Sequence, residues 1–158
     1  MKKIIAILVI LSVSIFSLMA QNSRHETGNI SINAGVGIPY TFNYLTVPPL
    51  KVDADYTFLT FGSGAFSLAA GVYGSLAGYR SFSHLLVGAM FNFRFAISDS
   101  IDLFSKTIVG YKHMGSYGRF GAGEYIGATW YFSPYMGVGA EIGYGGPTLL
   151  GVHMAFKF

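Results

Sequence analysis

Leu85-Leu86-Val87-Gly88-Ala89-Met90-Phe91-Asn92-Phe93-Arg94-Phe95 alternates with a period of two. Leu85, Val87, Ala89, Phe91, Phe93 and Phe95 share one side of an extended chain; Gly88, Asn92 and Arg94 share the other. A helix repeats every 3.6 residues and would mix these sets, whereas a strand keeps them apart. The segment is therefore a strand with one apolar face and one polar or glycine face.

The same rule recurs along the chain. Ile30, Ile32, Ala34, Val36 and Ile38 oppose Ser31, Asn33, Gly35 and Gly37; Val52, Ala54, Tyr56 and Phe58 oppose Asp53, Asp55 and Thr57. Phe66, Leu68, Ala70 and Val72 oppose Ser67, Ala69 and Gly71. After the quoted strand a weaker one sets Leu103, Ser105, Thr107, Val109 and Tyr111 against Lys106 and Gly110. Ile126, Ala128, Trp130 and Phe132 then oppose Gly127, Thr129 and Tyr131, and Met136, Val138, Ala140, Ile142 and Tyr144 oppose Gly137, Gly139, Glu141 and Gly143. The last strand carries Leu150, Val152, Met154, Phe156 and Phe158 against Gly151, His153 and Lys157. Eight strands are predicted.

Short turns are expected near Thr60–Ser63, Ser98–Ser100 and Ser133-Pro134, and a tight one at Gly145-Gly146-Pro147. Longer connections are expected at Pro39–Leu50, Gly74–His84 and Lys112–Gly121. Short turns on one side and longer loops on the other are the asymmetry of outer-membrane barrels, which carry even strand numbers.

Alternation alone does not say which face is inside. Composition decides. The 158 residues are 52% hydrophobic and only 11% charged, against roughly 25% charged in an average soluble domain. A soluble barrel lacks solubility without surface charge. Glycine, at 21 residues, falls almost wholly on the polar face, as a narrow eight-stranded interior requires. Aromatics on the apolar face gather at strand ends: Phe58, Phe66, Phe95, Trp130, Phe132, Phe156 and Phe158 form the expected periplasmic girdle, with Tyr111 and Tyr144 near the opposite rim. The expectation is an all-β, eight-stranded antiparallel up-and-down transmembrane barrel with its apolar side chains in lipid.

The N-terminus supplies the address. Lys2-Lys3 precedes an apolar run from Ile4 to Phe16, broken only by Ser12 and Ser14, and Ser17-Leu18-Met19-Ala20 closes it. Residues 1–20 are read as a cleavable secretory signal, 21–27 as a short periplasmic segment and 28–158 as the barrel. Removing Lys2 and Lys3 from the ten basic residues leaves eight against seven acids, so no basic character argues for nucleic acid. After Ala20 no stretch approaches the ~20 apolar residues of a spanning helix. A lipid-exposed chain without helices satisfies its backbone by closing a barrel.

The stretches Gly127-Ala128-Thr129-Trp130-Tyr131-Phe132-Ser133-Pro134 and Gly137-Val138-Gly139-Ala140-Glu141-Ile142-Gly143-Tyr144-Gly145, the closing Phe156-Lys157-Phe158 and the Pro48-Pro49-Leu50 entry into the second strand resemble small outer-membrane barrels of the porin-family OmpA/OmpX type. The terminal Phe158 resembles the signal by which the barrel-assembly machinery recognises its clients. The likeness is one of architecture, spans most of the mature chain and implies outer-membrane lipid as the surroundings; it carries no single activity.

Parity turns Asp53, Asp55, Arg94, Asp102, Lys106, Glu141, His153 and Lys157 into the lumen. Both signs are present, so ion pairs are expected, with Arg94 and Lys106 neutralised by some of Asp53, Asp55, Asp102 and Glu141. The network serves either to fill and order the lumen or as a gate. Glu124 breaks the parity rule and is expected above the membrane or past a bulge.

No catalytic residue is assigned. His153 would need a serine on its own face and has Ala155; His113 with Ser116, and His84 after Ser81 and Ser83, are expected as solvated loop residues without an acid. No metal-ligand spacing occurs, cysteine is absent, and the Gly-x-Gly runs lie in strands rather than before a helix. No enzyme activity, cofactor or metal is expected, and a monomer is. Tyr40-Thr41-Phe42-Asn43-Tyr44-Leu45 is an aromatic first loop, read as a partner surface or as packing over the barrel mouth.

Overall fold

A computed structural model describes residues 25–158. The expected leader and residues 21–24 lie outside them. Eight strands follow in order: β1 (Ile30–Ile38), β2 (Leu45–Phe61), β3 (Phe66–Tyr79), β4 (Ser83–Ser98), β5 (Ile101–Met114), β6 (Tyr117–Tyr131), β7 (Met136–Tyr144) and β8 (Leu150–Lys157). Each pairs antiparallel with the next, and β8 returns to β1. The seam is sealed by Phe158, whose N–H donates to the Ile30 carbonyl at 2.9 Å while its carbonyl accepts from the Ile30 N–H at 3.0 Å. A closed sheet has no edge, which is the condition for standing in hydrocarbon.

All eight expected strands are present with the expected faces. Along β1, Ile30, Ile32, Val36 and Ile38 are exposed while Ser31 and Asn33 are buried; along β5, Leu103 and Val109 are exposed while Asp102 and Lys106 are buried. The apolar side chains therefore point out and the polar ones in. A soluble carrier with an apolar cavity is the inverse of this arrangement.

Two of the three long connections did not materialise, because the strands run further; the first shortens to residues 39–44, and the β7–β8 connection, expected to be tight, spans 145–149. β3 continues to Tyr79 and β4 starts at Ser83, so only residues 80–82 join them; β5 and β6 are joined by Gly115 and Ser116 alone. Gly115 takes φ 65°, the left-handed conformation a tight hairpin needs. The extensions were hidden by Gly74, Ser75, Gly78, Gly118 and Gly121. Small residues on both faces erase the sequence contrast while pairing persists. His84 and His113 consequently lie in strands, and His84 is buried rather than solvated. β2 likewise begins at Leu45, and its register shifts between Val47 and Leu50, where Pro48 and Pro49 have no N–H for the ladder.

Strands β2 to β6 span 14 to 17 residues, more than the ~9–11 that cross a bilayer. Their excess rises past the outer ends of the short β1, β7 and β8, so the barrel wall is tall on one side. Glu124 faces outward in an unbroken β5–β6 register opposite Thr107, so no bulge explains it. It stands beside Tyr144, toward the outer end of the wall.

The ends of the strands beside the β2–β3, β4–β5 and β6–β7 turns carry the aromatic rings. Phe58, Trp130, Phe132 and Phe158 are exposed, and Phe66, Phe95 and Phe156 are half-buried among neighbours. Phe66 stacks on Phe95 with centroids 4.8 Å apart and on Phe61 at 5.3 Å. Phe61 belongs to this belt although its place beside the β2–β3 turn concealed it.

Candidate functional site

The lumen is where the chain places its charge. The inward positions of β2, β4, β5, β7 and β8 converge on four carboxylates (Asp53, Asp55, Asp102, Glu141) and four cations (Lys51, Arg94, Lys106, Lys157), all buried. The numbers balance, as they must where water is scarce, because an uncompensated charge there costs several kcal/mol.

The pairing is specific. Arg94 Nη2 lies 2.5 Å from each carboxylate oxygen of Asp55, and Asn92 Nδ2 donates to Asp55 Oδ2 at 3.0 Å. Lys106 Nζ donates to Asp53 Oδ2 at 2.8 Å and lies 3.6 Å from Glu141 Oε2; Asn33 Nδ2 donates to Asp53 Oδ1 at 2.6 Å. Lys51 Nζ pairs with Glu141 Oε1 at 2.5 Å. The ammonium also approaches His153 Nδ1 at 3.1 Å, and having no lone pair it is the donor. The imidazole proton is thereby left on Nε2, aimed at Thr129 Oγ1 3.4 Å away. Phe104 packs beneath, its ring 4.8 Å from Lys106 Nζ and 5.7 Å from the His153 ring.

Arg94 and Lys106 are thus neutralised by Asp55, Asp53 and Glu141, within the set the sequence offered. Asp102 instead faces His25, whose Nε2 stands 3.5 Å from Asp102 Oδ1. His25 is buried at the end of the lumen where the β2–β3, β4–β5 and β6–β7 turns lie, and nothing in its sequence surroundings signals that place. Lys157 lies at the same end of the lumen. Lys51 was also missed, although it sits two residues before Asp53 on the same parity; the prolines before it obscured the start of the strand.

Nearer the outer end the polar layer gives way to an apolar plug. Tyr73, Leu86, Met90, Ile108 and Tyr125 are buried together, and the two tyrosine rings stack at 5.7 Å. Between Asn92, Arg94, Asp102, Lys106, Thr129 and His153 the remaining cavity is about 10 Å³, room for roughly one water at most. Glycine keeps the wall thin where this packing is tightest. A Cβ on Gly139 would collide with the His153 ring, and one on Gly127 with Phe104 and the Ala140 carbonyl.

Outside, the first loop divides. Tyr40 Oη donates to the Gly143 carbonyl at 2.7 Å, tying the loop to β7, while Phe42 and Tyr44 are exposed. The β5–β6 hairpin presents Tyr117 and Phe120, each 81% exposed.

Comparison with known proteins agrees with the architecture. The chain is similar to a designed transmembrane β-barrel, with 19% identity, a TM-score of 0.58, and coverage of 85% of this chain and 98% of that one. It is similar also to Ail, the attachment invasion locus protein of Yersinia pestis, with 12% identity, a TM-score of 0.55, and coverage of 84% and 100%. No protein-family profile and no curated protein matches the chain in sequence. At these identities the likeness is one of fold: the chain is an eight-stranded transmembrane β-barrel.

Proposed function

We propose that this barrel resides in a bacterial outer membrane, of the OmpA/OmpX kind, as a non-catalytic monomer whose lumen is structural and whose role is exercised at the cell surface. The observation carrying this reading is the doubly closed interior, ion pairs below and the Tyr73–Tyr125 plug above, with a cavity of only about 10 Å³ inside the ion-pair layer. An interior of that kind supports no diffusive flow. The exposed aromatics of the first loop and the β5–β6 hairpin are what the protein offers to partners.

Planar-bilayer recording tests it. The wild-type barrel and Glu141→Ala are both expected to give no discrete conductance steps. Resolved steps in the wild type would establish the runner-up, a narrow ion channel gated by the Lys51–Glu141–Lys106 contacts.

The barrel-assembly machinery is the proposed partner during insertion, with Phe158 as its signal. Phe158→Ala is expected to lower the amount of protein in isolated outer membranes several-fold, while purified protein refolds into micelles as fully as wild type. Equal loss in both assays would make Phe158 a seam residue only.

A further inference from the structure

The seven acidic residues of the chain are distributed very unevenly. Asp53, Asp55, Asp102 and Glu141 fill the lumen, Glu26 and Asp99 stand at the periplasmic end, and Glu124 lies on the outer wall. None is at the extracellular mouth. The described cations outside the lumen, Arg80, Lys112 and Arg119, are all there.

Two of them are in direct opposition. Lys112 of β5 and Arg119 of β6 are register partners, and like charges placed directly across a strand pair repel. Their parity is that of Ile108 and Tyr125, so both turn toward the barrel axis and away from lipid. His84 shares this face from the adjoining β4, where Leu86 pairs with Lys112 and His84 with Met114. Tyr117 lies two residues before Arg119 on the same side. Glu124, outward on the far side of the wall, cannot reach them. In the lumen Lys51, Arg94 and Lys106 each face a carboxylate, so the opposed pair at the mouth, with no acid on its face, is a local feature of this hairpin.

We propose that the mouth-facing side of the β5–β6 hairpin binds a soluble polyanion carrying phosphate or sulfate esters, gripped between Lys112 and Arg119. An oxyanion placed between the two side chains turns their repulsion into two charge-assisted hydrogen bonds, and the Arg119 fork matches its geometry. Arg80, in the turn of the neighbouring hairpin, adds to the same field. The ligand comes from solution above the barrel rather than from a lipid headgroup, because these side chains face the axis. The inference deepens the surface role proposed above and rests on it only for where the ligand is met.

Inositol hexakisphosphate is the probe, titrated calorimetrically into the full barrel folded in neutral detergent, with gel mobility before and after heating as the check on folding. The Lys112→Gln/Arg119→Gln double variant is expected to bind about tenfold more weakly than wild type, and Lys112→Arg to bind like wild type. No wild-type binding, or equal affinity in the double variant, overturns the proposal. The titration is repeated in nanodiscs containing anionic phospholipid. If wild-type affinity there falls to that of the double variant, lipid phosphates occupy these cations and the soluble ligand is excluded. Membrane fractionation tests the location separately: a barrel found elsewhere would sink the surface role and leave the binding result standing.

Discussion

Asp55→Ala is expected to destabilise the folded barrel by about 3–5 kcal/mol, the range for breaking a buried ion pair by removing one partner. Asp55 receives Arg94 on both oxygens and Asn92 on one. Without it the guanidinium stays in a wall where the neighbouring cavity admits roughly one water, and the remaining acids are engaged with Lys106, Lys51 and His25. The cost is that of an orphaned charge and not the value of the pair. A variant replacing both partners by apolar residues, Asp55→Leu/Arg94→Met, should therefore recover most of the loss. Equilibrium urea unfolding in lipid vesicles, followed by the fluorescence of the single tryptophan, Trp130, measures both. An Asp55→Ala barrel within 1 kcal/mol of wild type would mean that water enters the lumen freely and that the interior is not packed as described.

How much of this was legible beforehand follows from where the hydrophobic contrast lies. Alternation is imposed only where one face meets hydrocarbon and the other a polar interior, so Phe91–Phe95 and Val138–Ile142 were unambiguous. Where small residues stand on both faces, as at Gly74, Ser75, Ala77 and Gly78, or charge stands on the inner one, as at Lys112 and Arg119, the contrast weakens; Gly74–Gly78 and Lys112–Gly121 read as loops though all but Gly115 and Ser116 are paired strand, with Ser75 and Ala77 buried. The lumen charges were readable from parity alone, since outward placement is prohibitive. Their partners were not. Asp53 of β2 meets Lys106 of β5, on strands that do not pair, through the registers of the ladders between them, and no local pattern encodes that. His25 was invisible for the opposite reason: its position depends on where a non-periodic segment leaves the wall. The cationic mouth was visible in composition only as isolated basic residues; β5–β6 pairing is what sets Lys112 opposite Arg119.

Val72→Arg is expected to cost about 2–4 kcal/mol in a lipid bilayer, the penalty for a basic side chain on the outer face of a barrel near mid-depth. Val72 is 65% exposed, between Ala54 of β2 and Ala89 of β4. Those small neighbours leave room for the larger side chain, so steric crowding does not account for the effect. No carboxylate faces outward near it. Phe120→Arg, on the same outer surface but near the outer rim, opposite Tyr111 of β5, is expected to cost no more than about 1 kcal/mol, the range for a basic side chain near the membrane interface. Both positions are more than half exposed, so a barrel surrounded by water would tolerate arginine equally at the two. The difference between them, read by the same unfolding assay in vesicles, isolates the surroundings from the fold. If the two variants are equally stable, the greasy outer face does not meet hydrocarbon, and the charged lumen loses its explanation as the place where charge was driven.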